Sequence, residues 1–248
     1  MRQKALAAVI LAAGRGVRMN SPLAKVLHPL SSKPLLAYVL DTVFALAPDR
    51  VIVVVGFQSE RVAAAFPDPR IEFVEQKEQK GTGHAVLQAE SALRDFRGDL
   101  LVLCGDMPFI KASTLENLMA HHRKTDADCT LLILKTEQPR DFGRILRDEK
   151  GRIAGIVENR DADARQKTID EYNAGVYCFD KDLVFEAINQ LDNNNSQAEY
   201  YLTDTIRNLA RHRSAVQFVQ TGDADEVLGI NCEEDLKRAE RILTGRPF

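Results

Sequence analysis

Cysteine is scarce in this sequence of 248 residues, and the four present, Cys104, Cys129, Cys178 and Cys232, form neither a C-x-x-C pair nor zinc-ligand spacing with histidine. No zinc module is on offer, and the thiols read as reduced side chains of a cytoplasmic protein. Excess charge is missing too. Charged residues make up 28% of the chain but the net charge is only -3, which gives no reason to expect nucleic acid or an anionic membrane as a partner. Small molecules or protein are the expected partners. Long apolar runs are absent, none approaching the roughly 18 residues that span a bilayer. Arg2 and Lys4 ahead of the apolar Ala5 to Ala13 imitate a short signal peptide. The run enters a Gly-rich turn directly, however, and reads better as a first strand buried on both faces. Internal repeats and long linkers are also lacking. The length therefore suits one α/β domain, with or without a small second lobe.

Apolar runs alternate with segments of helical period, the pattern of a mostly parallel sheet covered by helices. Ala5 to Leu11, Val51 to Val55, Leu100 to Leu103 and Cys129 to Leu134 are the expected strands. Leu35, Leu36, Val39, Leu40, Val43 and Phe44 recur at helical spacing, with Pro34 suited to the first turn. Ser113 with Glu116 reads as a capping box that opens a helix running to about Lys124. Beyond about Gln138 the pattern changes. Arg144 to Leu146 and Arg152 to Val157 flank the polar tip Asp148-Glu149-Lys150-Gly151 like a hairpin, so a smaller, partly antiparallel lobe is expected. Helical patterns return in Leu183 to Leu191, Tyr200 to Arg211 and Glu233 to Leu243, with a strand at Ala215 to Val219. Asn193 to Asn195 is a short polar loop.

The first strand ends in Leu11-Ala12-Ala13-Gly14-Arg15-Gly16-Val17-Arg18-Met19. Its small residues let backbone N–H groups approach a phosphate, although a G-x-G alone serves equally as a plain turn. The third glycine of a dinucleotide fingerprint is missing and no G-K-[ST] follows, so a dinucleotide fold and a P-loop are both excluded. Arg18 and Lys25 add positive charge suited to a triphosphate whose charge moves toward leaving pyrophosphate. Either alone reads as a solvated charge; with Gly14 and Gly16 they read as a site. Asp106, just past the end of Leu100 to Leu103, lies where ligands sit in open α/β sheets, as a magnesium ligand or as a turn cap. Gln76 with Gly81-Thr82-Gly83-His84 offers groups able to read a base edge, and Glu158 with Asn173 offers a carboxylate and an amide for sugar hydroxyls. His84 reads as structural. The acidic runs Asp161 to Asp163 and Glu233 to Asp235 read as solvated faces or helix N-terminal charge.

Taken together, these stretches resemble a known family. The sequence is similar over nearly its whole length to the N-terminal uridyltransferase domain of the bacterial bifunctional enzymes that make UDP-N-acetylglucosamine. The landmarks are Leu11 to Met19, Lys25-Val26-Leu27-His28, Gln76 with Gly81 to Ala85, Gly105-Asp106-Met107-Pro108, Phe142-Gly143-Arg144-Ile145, Gly155 to Glu158, Asn173-Ala174-Gly175, Asn194 to Tyr201 and Gly229-Ile230-Asn231. The resemblance implies a three-layer α/β fold, the Rossmann-like nucleotide-diphosphosugar transferase fold, with a mixed, mainly parallel sheet and a small sugar-binding lobe. It further implies a nucleotide part over about 1–137, a sugar lobe over about 138–230, and a closing metal loop with C-terminal helix over 231–248.

By the same resemblance Leu11, Ala13 and Gly14 hold the nucleotide, Gln76, Gly81 and Thr82 read uracil, and Lys25 contacts phosphate; the chemistry of the loop adds Gly16 to the nucleotide cradle and Arg18 to the phosphate contacts. Gly105, Gly143, Glu158 and Asn173 would contact the amino sugar, and Asp106 with Asn231 would hold magnesium. The implied reaction is transfer of UMP from UTP to N-acetylglucosamine 1-phosphate. The same chemistry on another pair, and a non-catalytic sugar-nucleotide sensor, stay open. Four positions depart from the family pattern. Arg15 and Val17 stand for lysine and threonine, Ala24 for the proline before Lys25, and Cys104 for a frequent tyrosine. The length leaves no room for the family's left-handed β-helix acetyltransferase domain, so the sequence is either a stand-alone uridyltransferase or a fragment of a longer chain.

Overall fold

The computed structural model describes residues 4–211 and 215–245, so Arg2 and the last three residues of the expected closing segment lie outside it. The chain runs β1 (Leu6–Ala12), a short hairpin of β2 (Pro29–Leu30) and β3 (Lys33–Pro34), α1 (Leu35–Ala45), β4 (Arg50–Val55), α2 (Ser59–Ala65), β5 (Ile71–Glu75) and α3 (Thr82–Leu87). There follow β6 (Asp99–Cys104), α4 (Ala112–Thr125), β7 (Cys129–Lys135), β8 (Arg144–Arg147) and β9 (Ile153–Val157). The remainder is β10 (Glu171–Asp180), α5 (Lys181–Ile188), α6 (Asp204–Arg211), β11 (Val216–Thr221) and α7 (Glu233–Thr244).

Among the described residues nine strands form one sheet in the order β11-β7-β10-β6-β1-β4-β5, with the β8-β9 hairpin attached through β10. β1 pairs in parallel with β4 and β6, and β4 with β5. Their carboxyl ends therefore open on one edge, the edge at which ligands bind in open α/β sheets. β10 runs antiparallel to both β6 and β7. It brings its first residues, Glu171 to Asn173, to that same edge.

Both faces of the sheet are buried, which explains the continuous apolar runs. Along β1, Leu6, Ala8, Ile10 and Ala12 enter one core while Ala7 and Val9 enter the other. Leu101 and Leu103 of β6 join the first core; Leu100 and Val102 join the second. A third, small cluster packs Met19 against Leu30, Leu35, Leu228, Ile230 and Ala239. It fastens the loop after β1 to the segment that precedes α7.

All four strands expected in the first half form, as do the 144–157 hairpin, the strand near 216 and the helix from Glu233. The partly antiparallel segment beyond about residue 138 joins the same sheet, because β10 inserts between β6 and β7. Three local readings need correction. The helix expected from Ser113 starts at Ala112 with Lys111 at its cap and no side-chain cap bond. Lys111 N–H is instead held by Glu226 Oε1 at 3.2 Å, which fixes the chain's entry and leaves Ser113 inside the first turn. Pro34 likewise stands at the cap position of α1, one residue earlier than expected. Residues 200–203 are not helical. Tyr200 C=O accepts from Gly83 N–H at 2.8 Å and Leu202 N–H is taken by Thr82 Oγ1 at 3.0 Å, so helix α6 waits until Asp204. Among the described residues no helix is long and apolar enough to cross a membrane. All four cysteines are free.

Candidate active site

A cleft of about 830 Å3 opens at the carboxyl edge, and Arg18, Lys25, Cys104, Asp106, Gly143, Glu158, Asn173 and Asn231 all line it. Residues separated by more than 200 positions in the sequence thus share one wall.

At its centre, Lys25 Nζ donates to Asp106 Oδ2 at 2.5 Å and to Asn231 Oδ1 at 3.1 Å. Asp106 follows β6 and is buried. Its backbone carbonyl accepts from Ile230 N–H at 3.0 Å, tying the β6 terminus to the loop that carries Asn231. The aim of Asn231 is fixed from three sides. Its Nδ2 donates to Gly229 C=O at 3.1 Å, its N–H donates to Asp235 Oδ2 at 2.8 Å, and the N–H of Cys232 reaches the same carboxylate at 3.1 Å. Asp235, expected only as helix N-terminal charge, is the anchor that points Asn231 Oδ1 at Lys25.

The loop after β1 reaches Lys25 through Gly16. Gly16 adopts φ +70°, and a Cβ built there would lie 2.7 Å from Lys25 Cβ, so only glycine lets the lysine stem cross at this point. Gly14 differs, with nothing within 4 Å of its built Cβ, which leaves its backbone open to an approaching group. Arg18 follows in a single 3-10 turn, Val17–Met19, and is exposed on the cleft wall. Leu11 C=O accepts from Gly105 N–H at 2.9 Å, and Ala13 C=O from Phe57 N–H at 3.1 Å. Arg15 lies over the Phe57 ring, 5.1 Å from its centroid. Val17, by contrast, is 75% exposed.

Gly105 does not line the cleft. It is buried, and a Cβ there would lie 3.2 Å from Leu36 Cδ1, so its visible role is close packing beneath the floor. The pieces expected to read a base lie beyond β4. Gln76 is buried at the end of β5, and its Nε2 donates to Gly81 C=O at 3.0 Å and lies 3.0 Å from His84 Nδ1. Burial pushes the His84 imidazole below its ordinary value of 6.5, which keeps it neutral and lets Nδ1 accept. Gly81, at φ +106°, presses against Tyr200 C=O, which a Cβ would approach to 2.6 Å. The Thr82 hydroxyl is engaged by Leu202 N–H, so these two residues visibly lock the 80–83 turn to residues 200–202.

On the other side of the cleft, β10 carries a bulge between Asn173 and Tyr177, with Gly175 at φ +73°. Bulges re-aim side chains. Here Asn173 Nδ2 donates to Tyr177 Oη at 2.7 Å while Asn173 Oδ1 accepts from Gly175 N–H at 3.1 Å. Glu158 follows β9, and its Oε1 accepts from Thr203 Oγ1 at 2.8 Å. Burial raises the Glu158 carboxyl above its ordinary value, with the Thr203 hydrogen bond opposing. A Cβ on Gly143 would lie 2.8 Å from Ile156 Cγ2 and 3.5 Å from Glu158 Oε2, so glycine keeps the carboxylate accessible. Between the two halves lies Cys104. Burial, with Asp106 nearby, holds its thiol protonated, pushed up to about 12. Thr203, Tyr177 and Asp235 are partners that the sequence reading missed; only the Asn-x-Gly at 173–175 hinted at a bulge.

The architecture matches known proteins closely enough to place it. Residues 8–216 match the MobA-like NTP transferase domain. The chain belongs to that family. Relatives called "Bifunctional protein GlmU" include one from Oceanobacillus iheyensis, 43% identical over 239 residues, covering 96% of this chain and 52% of that protein. Another, from Desulfotalea psychrophila, is 41% identical over 245 residues, covering 99% of this chain and 72% of that protein. The chain thus spans about half the length of the first of these relatives. Among solved structures, a UDP-glucose pyrophosphorylase complexed with UDP-glucose superposes with a TM-score of 0.80 at 18% identity, covering 98% of this chain and all of that one. That likeness establishes the fold. The resemblance drawn from motifs agrees with these relatives, and the α/β nucleotidyltransferase fold is the one observed.

Proposed function

We propose that this chain transfers UMP from UTP to N-acetylglucosamine 1-phosphate, releasing pyrophosphate. The observation that carries the reading is the convergence of Asp106, Asn231 and Lys25 at the seam between the glycine loop and the Glu158–Asn173 wall. Nucleotide lies over Leu11 to Gly16 with its base toward Gln76 and Gly81, and the amino sugar lies toward Gly143, Glu158 and Asn173.

The residues fit a magnesium ion. Asp106 Oδ2 and Asn231 Oδ1 are hard oxygen donors that already converge on one cationic atom, Lys25 Nζ. Two protein oxygens supplemented by phosphate and water are the usual complement for this ion. Bound there, it would neutralise phosphate oxygens and the charge of departing pyrophosphate. A phosphate oxygen of the sugar 1-phosphate attacks the α-phosphorus of UTP, the bond from that phosphorus to the bridging oxygen breaks, and the electron pair leaves with pyrophosphate. The nucleophile is ionised near neutral pH, so no side chain has to take a proton. The protein's work is positioning and electrostatics. Lys25 and Arg18 supply fixed positive charge to the phosphates, while Gly143 and Asn173 orient the acceptor and Glu158 offers a carboxylate to its hydroxyls. Free thiols throughout suit a cytoplasmic setting.

A second pair of substrates is favoured by one feature, the small Cys104 at the junction of the two halves. Pyrophosphate release from each of four nucleoside triphosphates, offered N-acetylglucosamine, glucosamine, glucose and galactose 1-phosphates, separates the readings. UTP with N-acetylglucosamine 1-phosphate should dominate. Dominance of another pair would replace it, and UDP-sugar binding without pyrophosphate from any pair would make the chain a sensor.

A further inference from the structure

The turn after β4 makes contacts that the reaction scheme does not use. Gln58 stands there in the left-handed region, at φ +56°, ψ +39°, although it is not glycine. Non-glycine residues held in that region cost free energy and persist where surrounding contacts over-determine them. The contacts at Gln58 are those of a clip. Its Oε1 accepts from Ala24 N–H at 2.9 Å, and its Nε2 donates to Pro22 C=O at 2.9 Å. One amide therefore spans the two peptide groups on either side of Leu23, just ahead of Ala24 and Lys25. The bond to Ala24 is needed locally, because Ala24 is fully buried and its N–H lies at the mouth of the short turn Lys25–Leu27, where no intrahelical acceptor exists.

We infer that Gln58 is a positioning residue for Lys25, setting where the ammonium stands without itself touching substrate. This rests on the assignment of Lys25 to the phosphates in the proposed transfer. The rest of the same turn supports it. Phe57 N–H holds Ala13 C=O, the Phe57 ring carries Arg15, and a Cβ on Gly56 would lie 2.8 Å from Ala13 oxygen. Residues 56–58 thereby grip the glycine loop and the lysine segment together and fix their spacing. Ala24 enters this design through its N–H, a donor that a proline at position 24 would lack.

The test uses Gln58→Gly, because glycine adopts positive φ freely and offsets in the backbone what is lost from the side chain. Its kcat for pyrophosphate release should fall about tenfold, a loss suited to slack of some tenths of an ångström where ~1 Å costs about 100-fold. The melting temperature should stay within a few degrees. In a Lys25→Ala background, Gln58→Gly should cost nothing further, since residues acting through one another are not additive. A kcat within twofold of the parent, or an undiminished tenfold loss without Lys25, would overturn the inference. Should Gln58→Gly fold poorly, Gln58→Glu keeps the acceptor for Ala24 N–H, sets charge against Pro22 C=O, and is read in the same cycle. The parental rate is measured first. An inactive parent removes the proposed transfer and this inference with it, whereas an active parent with an additive cycle removes this inference alone.

Discussion

Alanine at position 16 should damage both stability and turnover, whereas alanine at position 14 should weaken nucleotide binding alone. At Gly16 the left-handed φ of +70° costs an L-residue about 1 to 2 kcal/mol. For a domain of this size that lowers the melting temperature by roughly 2 to 8 °C. The added methyl also starts 2.7 Å from Lys25 Cβ, while carbon contacts settle at about 3.5 Å, so the lysine stem must retreat by most of an ångström. A displacement of about 1 Å at a catalytic group costs up to ~100-fold, and a fall of roughly 10- to 100-fold in kcat is expected. Gly14 has open space where its Cβ would go. Its alanine variant should melt with the parent yet bind UTP more weakly, because the methyl enters the space the phosphates need. Thermal melts, UTP titration calorimetry and a continuous pyrophosphate assay read all three quantities. A Gly16→Ala protein with parental melting and parental kcat would refute the reasoning.

Three further outcomes follow from the site. Lys25→Met removes the ammonium from Asp106 Oδ2 and Asn231 Oδ1, so the protein alone should bind manganese more tightly, read by electron paramagnetic resonance, while turnover drops by about 10²- to 10³-fold; unchanged metal affinity would separate Lys25 from the metal oxygens. Thr203→Val deletes the hydroxyl that bonds Glu158 at 2.8 Å and should raise KM for the sugar phosphate by roughly tenfold with little change in KM for UTP; equal effects on both would place Glu158 elsewhere. Glu158 has a carboxyl pKa raised on folding above 4.5, so the stability it contributes is full below the unfolded value and is lost as pH rises through the folded one. Glu158→Gln never ionises, and its melting temperature should gain on the parent as pH rises above about 4.5, with a gap independent of pH as the contrary result.

Much of the sheet was legible because both its faces are buried, which writes Leu6 to Ala12 and Leu100 to Cys104 as unbroken apolar runs. β10 was not, since its bulge at Asn173 to Tyr177 breaks the period and its role is to bridge two strands far earlier in the chain. Tyr200 to Thr203 misled for a related reason: helical spacing was overridden by hydrogen bonds from the 82–83 turn. In the site, Gly14, Gly16, Lys25 and Asp106 were visible from local chemistry at strand ends. Asn231 needed the resemblance, because its partner is 125 residues away and a lone asparagine carries no signal of its own. Thr203 and Gln58 were invisible, and Asp235 was legible only as charge at a helix N-terminus, not as the anchor of Asn231. Each works by holding another residue, and nothing in spacing marks a residue whose partner is fixed only by the fold.

The most direct measurement follows pyrophosphate release from UTP and N-acetylglucosamine 1-phosphate by Asp106→Ala beside the parent, with melting recorded on the same samples. The account predicts a folded variant whose turnover is lower by at least about 100-fold at saturating magnesium. A folded Asp106→Ala protein that releases pyrophosphate at the parental rate would contradict it.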